Sequence, residues 1–243
     1  MSTVAFMRMC YPNYGRSTPS FSFSFTRRIV KLALQSNLKC CPSLQLPCSS
    51  YSSWPTHSIR NASSSATSIS TSTKTSPLSE LEEVMMGYVF GKKKATEVAH
   101  SLWKQLVRKG DVVIDATCGN GHDTLALLNL VADRTCSGGH VYAMDIQKVA
   151  LESTSLLLDQ SLSPDERKHV ELFLMCHSKM EEVVPSGVPV RLVAFNLGYL
   201  PGGEKAVVTK SETTLLALEA AKRILATGGL ISIVVYVGHP GGR

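Results

Sequence analysis

Two aspartates and two glycines near the middle of the chain have the spacing of a site that holds a small molecule. Asp115 ends a short apolar stretch, Gly119 and Gly121 follow in a tight turn, and Asp123 opens the next segment. Glycine has no Cβ, so such a turn can take left-handed backbone angles and approach a ligand closely. The helix that we predict after the turn begins with unpaired N–H groups. A strand, a glycine turn and a helix in this order are typical of nucleotide-like cofactor sites in open α/β sheets.

The residues around this turn favour S-adenosylmethionine over a dinucleotide. A dinucleotide site has a third glycine to pack the helix on the strand, and this sequence has Thr124 there. A carboxylate at Asp115 would repel a pyrophosphate, whereas it suits a cationic amino-acid moiety. Asp145 ends the next predicted strand, where a carboxylate can accept both ribose hydroxyls of a nucleoside. Loop capping by Asp115 or Asp123, and a strand-end turn at Asp145, are the alternatives for each residue taken singly.

A second polar loop, residues 196–203 (NLGYLPGG), follows the fourth predicted strand. Because ligands bind at the carboxyl ends of strands in open sheets, this loop is expected to face the same crevice as the glycine turn. The Asn196 side chain and the carbonyls after it offer acceptors for the hydrogens of an amino group. Tyr199 offers a ring on which a flat base can stack. A Gly/Pro turn with a buried Asn is the alternative interpretation.

Alternating strands and helices are predicted to bring these loops to one edge of a sheet. The pattern of apolar residues predicts strands at 112–114, 140–144, 170–175, 192–195 and 230–236, and helices at 95–107, 123–131, 147–158 and 212–226. Residues 227–229 are expected to end the last helix. Strand and helix in alternation indicate a parallel sheet with helices on both faces. His100 and Trp103, in the first of these helices, are expected to pack in the core.

Residues 1–79 differ in composition from the rest of the chain. They contain eight Lys and Arg, 20 Ser and no Asp or Glu; all 19 acidic and the other 17 of 25 basic residues lie in residues 80–243. That second part has a net charge of −2, so the overall charge of +6 does not indicate nucleic-acid binding. An Arg-containing, Ser-rich, acid-free segment predicts an organelle transit peptide, with a disordered tail as the alternative.

We therefore divide the chain into a transit peptide or disordered segment, residues 1–79, and a folded domain, residues 80–243. The Ser and Thr content favours the chloroplast, and a basic amphipathic pattern at residues 25–34 leaves the mitochondrion as the alternative. No apolar run reaches about 18 residues, so we expect no membrane span. The domain's cysteines form no C-x-x-C pair, and we expect no metal site.

Five segments in matching order resemble the rRNA methylase family, whose bacterial members methylate the aminomethyl group on the wobble uridine of tRNA. They are DATCGNGHDT (115–124), MDIQ (144–147), FNLGYLPGGEK (195–205), TLLALEAAKRIL (214–225) and YVGHPGG (236–242). The resemblance implies a Rossmann-like class I methyltransferase that uses S-adenosylmethionine. It also implies a product of the 5-methylaminomethyl-2-thiouridine type in the anticodon loop of tRNA. Lysines 92–94, Lys205 and Lys210 are candidates for phosphate contacts, with a solvated charge run as the alternative for 92–94.

The same resemblance implies a set of site residues. Asn196 and Tyr199 are similar to the N-P-P-Y element of amino-group methyltransferases, with Leu-Gly in place of Pro-Pro. We expect Asn196, Tyr199 and His239 to be catalytic, His239 being the only nearby candidate for a base. Tyr199, Thr213 and Tyr236 are expected to contact the substrate. The residues expected to bind the cofactor are Asp115, Thr117, Gly119, Asn120, Gly121, Asp123, Thr124, Asp145, Gln147 and Asn196.

The chain departs from the family pattern after its histidine–glycine loop. The pattern continues into another helix and a final pair of strands, whereas this sequence stops at Arg243. We therefore expect a truncated product that lacks the last strands, with its fifth strand as an exposed apolar edge. The alternative functions are methylation of rRNA or of a small amine, and a truncated isoform that binds the cofactor without turnover.

Overall fold

The computed structural model describes residues 2–10, 20–25, 77–132 and 138–236. The strands in these residues are β1 (Ser2–Cys10), β2 (Ser20–Phe25), β3 (Val112–Asp115), β4 (His140–Asp145), β5 (Val170–Leu174), β6 (Val190–Leu197) and β7 (Leu225–Tyr236). The helices are α1 (Pro77–Val89), α2 (Ala95–Leu106), α3 (His122–Val131), α4 (Lys148–Ser161), α5 (Pro164–Arg167) and α6 (Ser211–Ile224), with a 3₁₀ helix at His177–Glu182. None of the helices in this part of the chain is long and apolar enough to cross a membrane.

All the strands belong to one sheet with the order β2-β1-β7-β6-β3-β4-β5. Strands β3 to β7 are parallel to one another. The chain runs outward from β3 through β4 to β5 and then returns to β6 on the other side of β3. The strand order therefore reverses between β3 and β6, which is where open sheets form a ligand crevice. The predicted Rossmann-like α/β architecture is confirmed.

The core has two apolar layers, one on each face of the sheet. Successive strand residues point to opposite faces, so Val113 packs in one layer and Ile114 in the other. The first layer contains Trp103 of α2 and Leu127 of α3, and the second contains Ala217 of α6. The expectation that Trp103 packs in the core is confirmed, since it is 2% exposed.

The junction between α6 and β7 differs from the predicted one. Helix α6 ends at Ile224 and β7 begins at Leu225, so the expectation that residues 227–229 cap the helix is wrong. The pairing of β6 with β7 is irregular where the chain passes Gly228 and Gly229. A Cβ at Gly229 would lie 2.9 Å from the carbonyl oxygen of Ala226 and 3.0 Å from that of Arg191. The glycine therefore allows a close backbone approach inside the strand.

Strands β1 and β2 lie within the region predicted to be a presequence. β1 pairs antiparallel with β7 from Ser2–Tyr236 to Arg8–Leu230, and β2 pairs antiparallel with β1. The edge of β7 is thus covered, and the exposed edge expected from the sequence is wrong. These two segments also differ from the predicted disorder, because the sequence SFSFSF of β2 alternates with the period of a strand. The division of the chain at residue 79 and the removal of a transit peptide stay predictions.

Candidate active site

A cavity of about 780 Å³ lies at the carboxyl ends of β3, β4 and β6, at the reversal of strand order. Its volume is in the range of small-molecule sites, which runs from about 300 to about 1,000 Å³. The loops after three different strands contribute to its wall, as the topology requires. The sequence-predicted site residues that line it are Thr117, Gly119, Asn120, Asp123, Asp145, Gln147, Asn196, Tyr199, Thr213 and Tyr236.

Three predicted cofactor residues lie behind the cavity wall instead of lining it. Asp115 is buried, and its carboxylate accepts hydrogen bonds from Thr124 Oγ1 at 2.6 Å and from the Thr117 N–H at 3.2 Å. Thr124 is fully buried and Gly121 also faces away from the cavity. These residues hold the turn in shape and act on a ligand through it. His239, the predicted base, lies outside the described residues.

The glycine turn is fixed from two sides. Gly121 has a φ of 85°, and a Cβ there would lie 2.9 Å from Thr154 Cα of α4. Thr154 Oγ1 donates to the Gly119 carbonyl at 2.9 Å, and the Cys118 N–H donates to the Met144 carbonyl at 2.9 Å. Gly121 therefore serves the packing of the turn on α4, whereas Gly119, with a φ of 52°, lines the cavity.

Asp145 joins the glycine turn to the end of β4. Its Oδ2 accepts from the Gly119 N–H at 3.1 Å, and its Oδ1 accepts from the Gln147 N–H at 2.9 Å. Each carboxylate oxygen has a second lone pair, so the group can also accept from ligand hydroxyls. Ile146, which is 56% exposed, adds an apolar wall beside it. The end of β4 thus offers both polar and apolar contacts.

The part of the site beside the glycine turn is electrostatically negative. Burial, and then the charge of Asp123, raise the pKa of Asp115 to about 7, with a smaller contribution from Asp145. Burial, and then the charge of Asp115, also raise the pKa of the Cys118 thiol. Carboxylates this close disfavour one another's ionised form, and a cation between them relieves that cost. The arrangement therefore favours a positively charged ligand.

Asn196, at the end of β6, is held in one orientation. Its N–H donates to Thr117 Oγ1 at 2.7 Å, and its side-chain Nδ2 donates to Asp123 Oδ2 at 3.2 Å. Its amide oxygen is then the atom left to accept from a ligand. The carbonyl of Gly198, two residues on, accepts from the Thr209 N–H at 2.9 Å and from Thr209 Oγ1 at 3.4 Å, so both of its lone pairs are used. Asn196 is therefore a better acceptor for a ligand amine than the Gly198 carbonyl.

Two tyrosines flank the same part of the cavity. Tyr199 is 46% exposed. Burial, and then the charges of Asp123 and Tyr199, raise the pKa of Tyr236. A Cβ at Gly198 would lie 3.6 Å from the Tyr236 ring, so the loop and the end of β7 are in contact. Asn120 Nδ2 donates to the Pro201 carbonyl at 3.1 Å and joins this loop to the glycine turn. The two loops thus form one site.

Sequence reasoning missed three histidines that line the cavity: His100, His122 and His177. His100 of α2 was expected to pack in the core, but its Nε2 lies 2.6 Å from Asp123 Oδ1 in the cavity wall. Helical periodicity places His100 near Trp103 and cannot reveal a partner 23 residues away. His177, in the 3₁₀ helix, packs edge-on against Phe195, and burial lowers its pKa. No motif in the sequence indicates His177, because a lone histidine carries no spacing pattern.

Comparison with known proteins gives matches over the domain that carries this site. The family model described as "Putative rRNA methylase" matches residues 141–243. A curated Arabidopsis thaliana protein named "tRNA (mnm(5)s(2)U34)-methyltransferase, chloroplastic" is 64% identical over 168 residues, 69% of this chain. The chain spans 61% of the length of that relative.

Two solved structures are similar in both sequence and fold. A "putative rRNA-methylase" from Clostridium thermocellum is 39% identical with a TM-score of 0.56, over 62% of this chain and 76% of its own. A "putative methyltransferase" from Streptococcus mutans, solved in complex with SAH, is 37% identical with a TM-score of 0.52. That match covers 60% of this chain and 74% of the Streptococcus chain. The similarity therefore extends over most of each solved chain.

Proposed function

Because the chain belongs to the rRNA methylase family, we propose that it transfers a methyl group from S-adenosylmethionine to an amino group of tRNA. The resemblance inferred from the sequence is confirmed at the level of the family. The proposed acceptor is the 5-aminomethyl group of the wobble uridine or 2-thiouridine, since the name of the Arabidopsis relative contains mnm5s2U34 of tRNA. The observation that carries the proposal is Asn196, fixed as an acceptor in a cavity whose carboxylates favour a cation.

The residues of the cavity fit S-adenosylmethionine, which when bound supplies a methyl group on a positively charged sulfur. Asp145 retains lone pairs for ribose hydroxyls, and Ile146 offers an apolar surface to a flat base. Asp115 and Asp123 make the potential beside the glycine turn negative, which suits a sulfonium and an α-ammonium group. The Streptococcus mutans relative was solved with SAH, which supports the same ligand class for this chain.

Asn196 has the chemistry to orient the acceptor amine. Its amide oxygen can accept one amine N–H, which turns the nitrogen lone pair away from the amide and into the cavity. A free amine is needed for this, since a protonated amine has no lone pair. Orientation of two reactants in one site can supply much of the rate enhancement of a displacement reaction. The residue therefore acts by positioning and needs no charge of its own.

Aromatic and basic groups around the cavity suit an RNA base displaced from its stack. Tyr199 and Tyr236 flank the Asn196 end, where a uracil ring can stack. Lys94 and Lys210 also line the cavity and can contact phosphates. Lys93 pairs with Glu97 at 2.9 Å, so it is a weaker candidate than Lys94. We propose the anticodon loop of tRNA as the partner.

We also propose that the protein acts in the chloroplast and that residues 1–79 are its transit peptide. The support is the acid-free, Ser-rich composition of that segment and the word "chloroplastic" in the name of the Arabidopsis relative. Fusion of residues 1–79 to a fluorescent protein tests this proposal. Import into plastids is the expected result, and import into mitochondria alone would contradict it.

Two measurements on the full chain test the function. Isothermal titration with S-adenosylmethionine should show binding at one site. Incubation with tRNA that carries 5-aminomethyl-2-thiouridine, followed by nucleoside mass spectrometry, should show one added methyl group at the wobble position. Methylation of rRNA in a parallel reaction, with tRNA unchanged, would support the rRNA alternative. Binding without transfer to either RNA would support a non-catalytic isoform.

A further inference from the structure

The two oxygens of Asp123 have different partners, and together they connect α2 to β6. Oδ1 lies 2.6 Å from His100 Nε2, and Oδ2 accepts from Asn196 Nδ2 at 3.2 Å. The side chain of Asp123 is 13% exposed and that of His100 is 30% exposed. Both hydrogen bonds are therefore partly shielded from water and compete with it less than surface contacts do.

His100 is itself held by the core. Its ring centroid lies 4.7 Å from that of Trp103, one turn further along α2. Trp103 is 2% exposed and belongs to the apolar layer that joins α2 to the sheet. The position of the imidazole is thus set by packing, and the imidazole can fix the carboxylate that it contacts.

The orientation of the Asn196 amide decides whether the residue helps or hinders an amine nucleophile. The oxygen and the NH2 group of an amide have nearly the same shape, so the group can present either one. An NH2 group facing the acceptor would donate to the lone pair that has to attack. A carboxylate oxygen only accepts, so Asp123 binds the NH2 group and leaves the amide oxygen for the amine.

We propose that His100 is a positioning residue for methyl transfer, acting through Asp123 to keep the Asn196 amide oxygen towards the acceptor amine. The proposal rests on the proposed function and adds a residue of α2, outside both site loops. Without His100, the carboxylate of Asp123 can rotate and the amide of Asn196 can turn over. The loss then falls on the chemical step and leaves cofactor binding and folding largely intact.

His100→Ala, His100→Gln and the control Lys104→Ala test this role in the full chain. Lys104 lies on the same helix, and its side chain is 57% exposed. Turnover of 5-aminomethyl-2-thiouridine tRNA should fall about tenfold to a hundredfold in His100→Ala, the size of effect expected when a reacting group is misplaced. His100→Gln should recover most of the rate, because its amide N–H can donate to Asp123. The Lys104 variant should match wild type.

Two further readouts separate positioning from structural support. The dissociation constant for SAH and the thermal midpoint of His100→Ala should stay close to wild type. A turnover number unchanged in His100→Ala would overturn the proposal, and so would a loss that tracks the thermal midpoint and that Gln does not recover. An inactive wild-type enzyme would overturn the proposed function itself and this role with it.

Discussion

At the scale of single residues, the buried carboxyl of Asp115 has the largest consequence. It does not line the cavity, yet it supports the turn through Thr117 and Thr124 and adds negative charge behind the wall. Its pKa of about 7 lies well above the ordinary aspartate value of 3.8, chiefly because of burial. The folded protein is therefore penalised whenever this group is ionised, and a cationic ligand offsets that penalty.

The contribution of Asp115 to the stability of the ligand-free protein should fall as pH rises, because its folded-state pKa is raised. A carboxyl group whose pKa is higher in the folded than in the unfolded protein stabilises the folded state fully only below its unfolded-state pKa. That stabilisation is lost as the pH rises through the folded-state pKa of about 7. Thermal midpoints between about pH 5 and about pH 8 should fall less in Asp115→Asn than in wild type. Asp159→Asn, at an exposed carboxylate paired with Arg167, is the matched control. An identical pH profile in wild type and Asp115→Asn would contradict the assignment.

At the scale of elements, the glycine turn shows why one motif contains two different kinds of glycine. The sequence predicts close approach to a ligand for both. The structure assigns cavity lining to Gly119 and packing against α4 to Gly121. The motif indicates that both positions require glycine. The residue that makes glycine necessary at position 121 is Thr154, which is 33 residues away in the sequence and is brought close by the tertiary fold.

Alanine at the two positions should therefore have different costs. Gly119→Ala meets no atom closer than 3.6 Å and should cost about 1 kcal/mol for its positive φ alone. Gly121→Ala adds a 2.9 Å contact with the backbone of α4 and should cost about 3 kcal/mol or more. Urea unfolding of the two variants and wild type measures both values. Equal losses would show that the packing on Thr154 is unimportant.

The elements themselves were largely predictable from the sequence. Apolar runs and 3.6-residue periodicity placed β3 to β7 and α2, α3, α4 and α6, because burial of one or both faces imposes those patterns. The predicted start of β7 was too late. Gly228 and Gly229 are typical of a helix end, but here they lie inside the strand, where Gly229 permits a close backbone contact. The contact between His100 and Asp123 was unpredictable, because it depends on how α2 packs on the sheet.

At the scale of the whole molecule, β1 links the two compositionally different parts of the chain. Composition alone predicted a transit peptide, or else a disordered tail, for residues 1–79, and this overlooked the alternation in β2. β1 pairs along residues 230–236 of β7 and lies between β7 and β2. The proposed removal of residues 1–79 would take both strands away, so the full-length and processed proteins should differ at this edge.

Breaking β1 should therefore make the full-length chain associate with itself. Val4 pairs with Val234 near the carboxyl end of β7, and proline at position 4 removes a backbone donor and disrupts the ladder. Val4→Pro should expose the edge of β7 and increase aggregation, while Val4→Thr keeps the strand and serves as the control. Light scattering at equal protein concentration measures the difference. A monodisperse Val4→Pro protein would mean that β1 does not protect this edge.

The central claim is that the cavity between the glycine turn and the Asn196 loop directs a methyl group to an exocyclic amine. A synthetic anticodon stem-loop with one 5-aminomethyl-2-thiouridine, incubated with radiolabelled S-adenosylmethionine, tests it most directly. Wild type should place one labelled methyl group on the aminomethyl nitrogen, and Asn196→Ala should be about a hundredfold slower with similar affinity for SAH. No labelled stem-loop, a label on the ring, or an Asn196→Ala variant as fast as wild type would contradict the account.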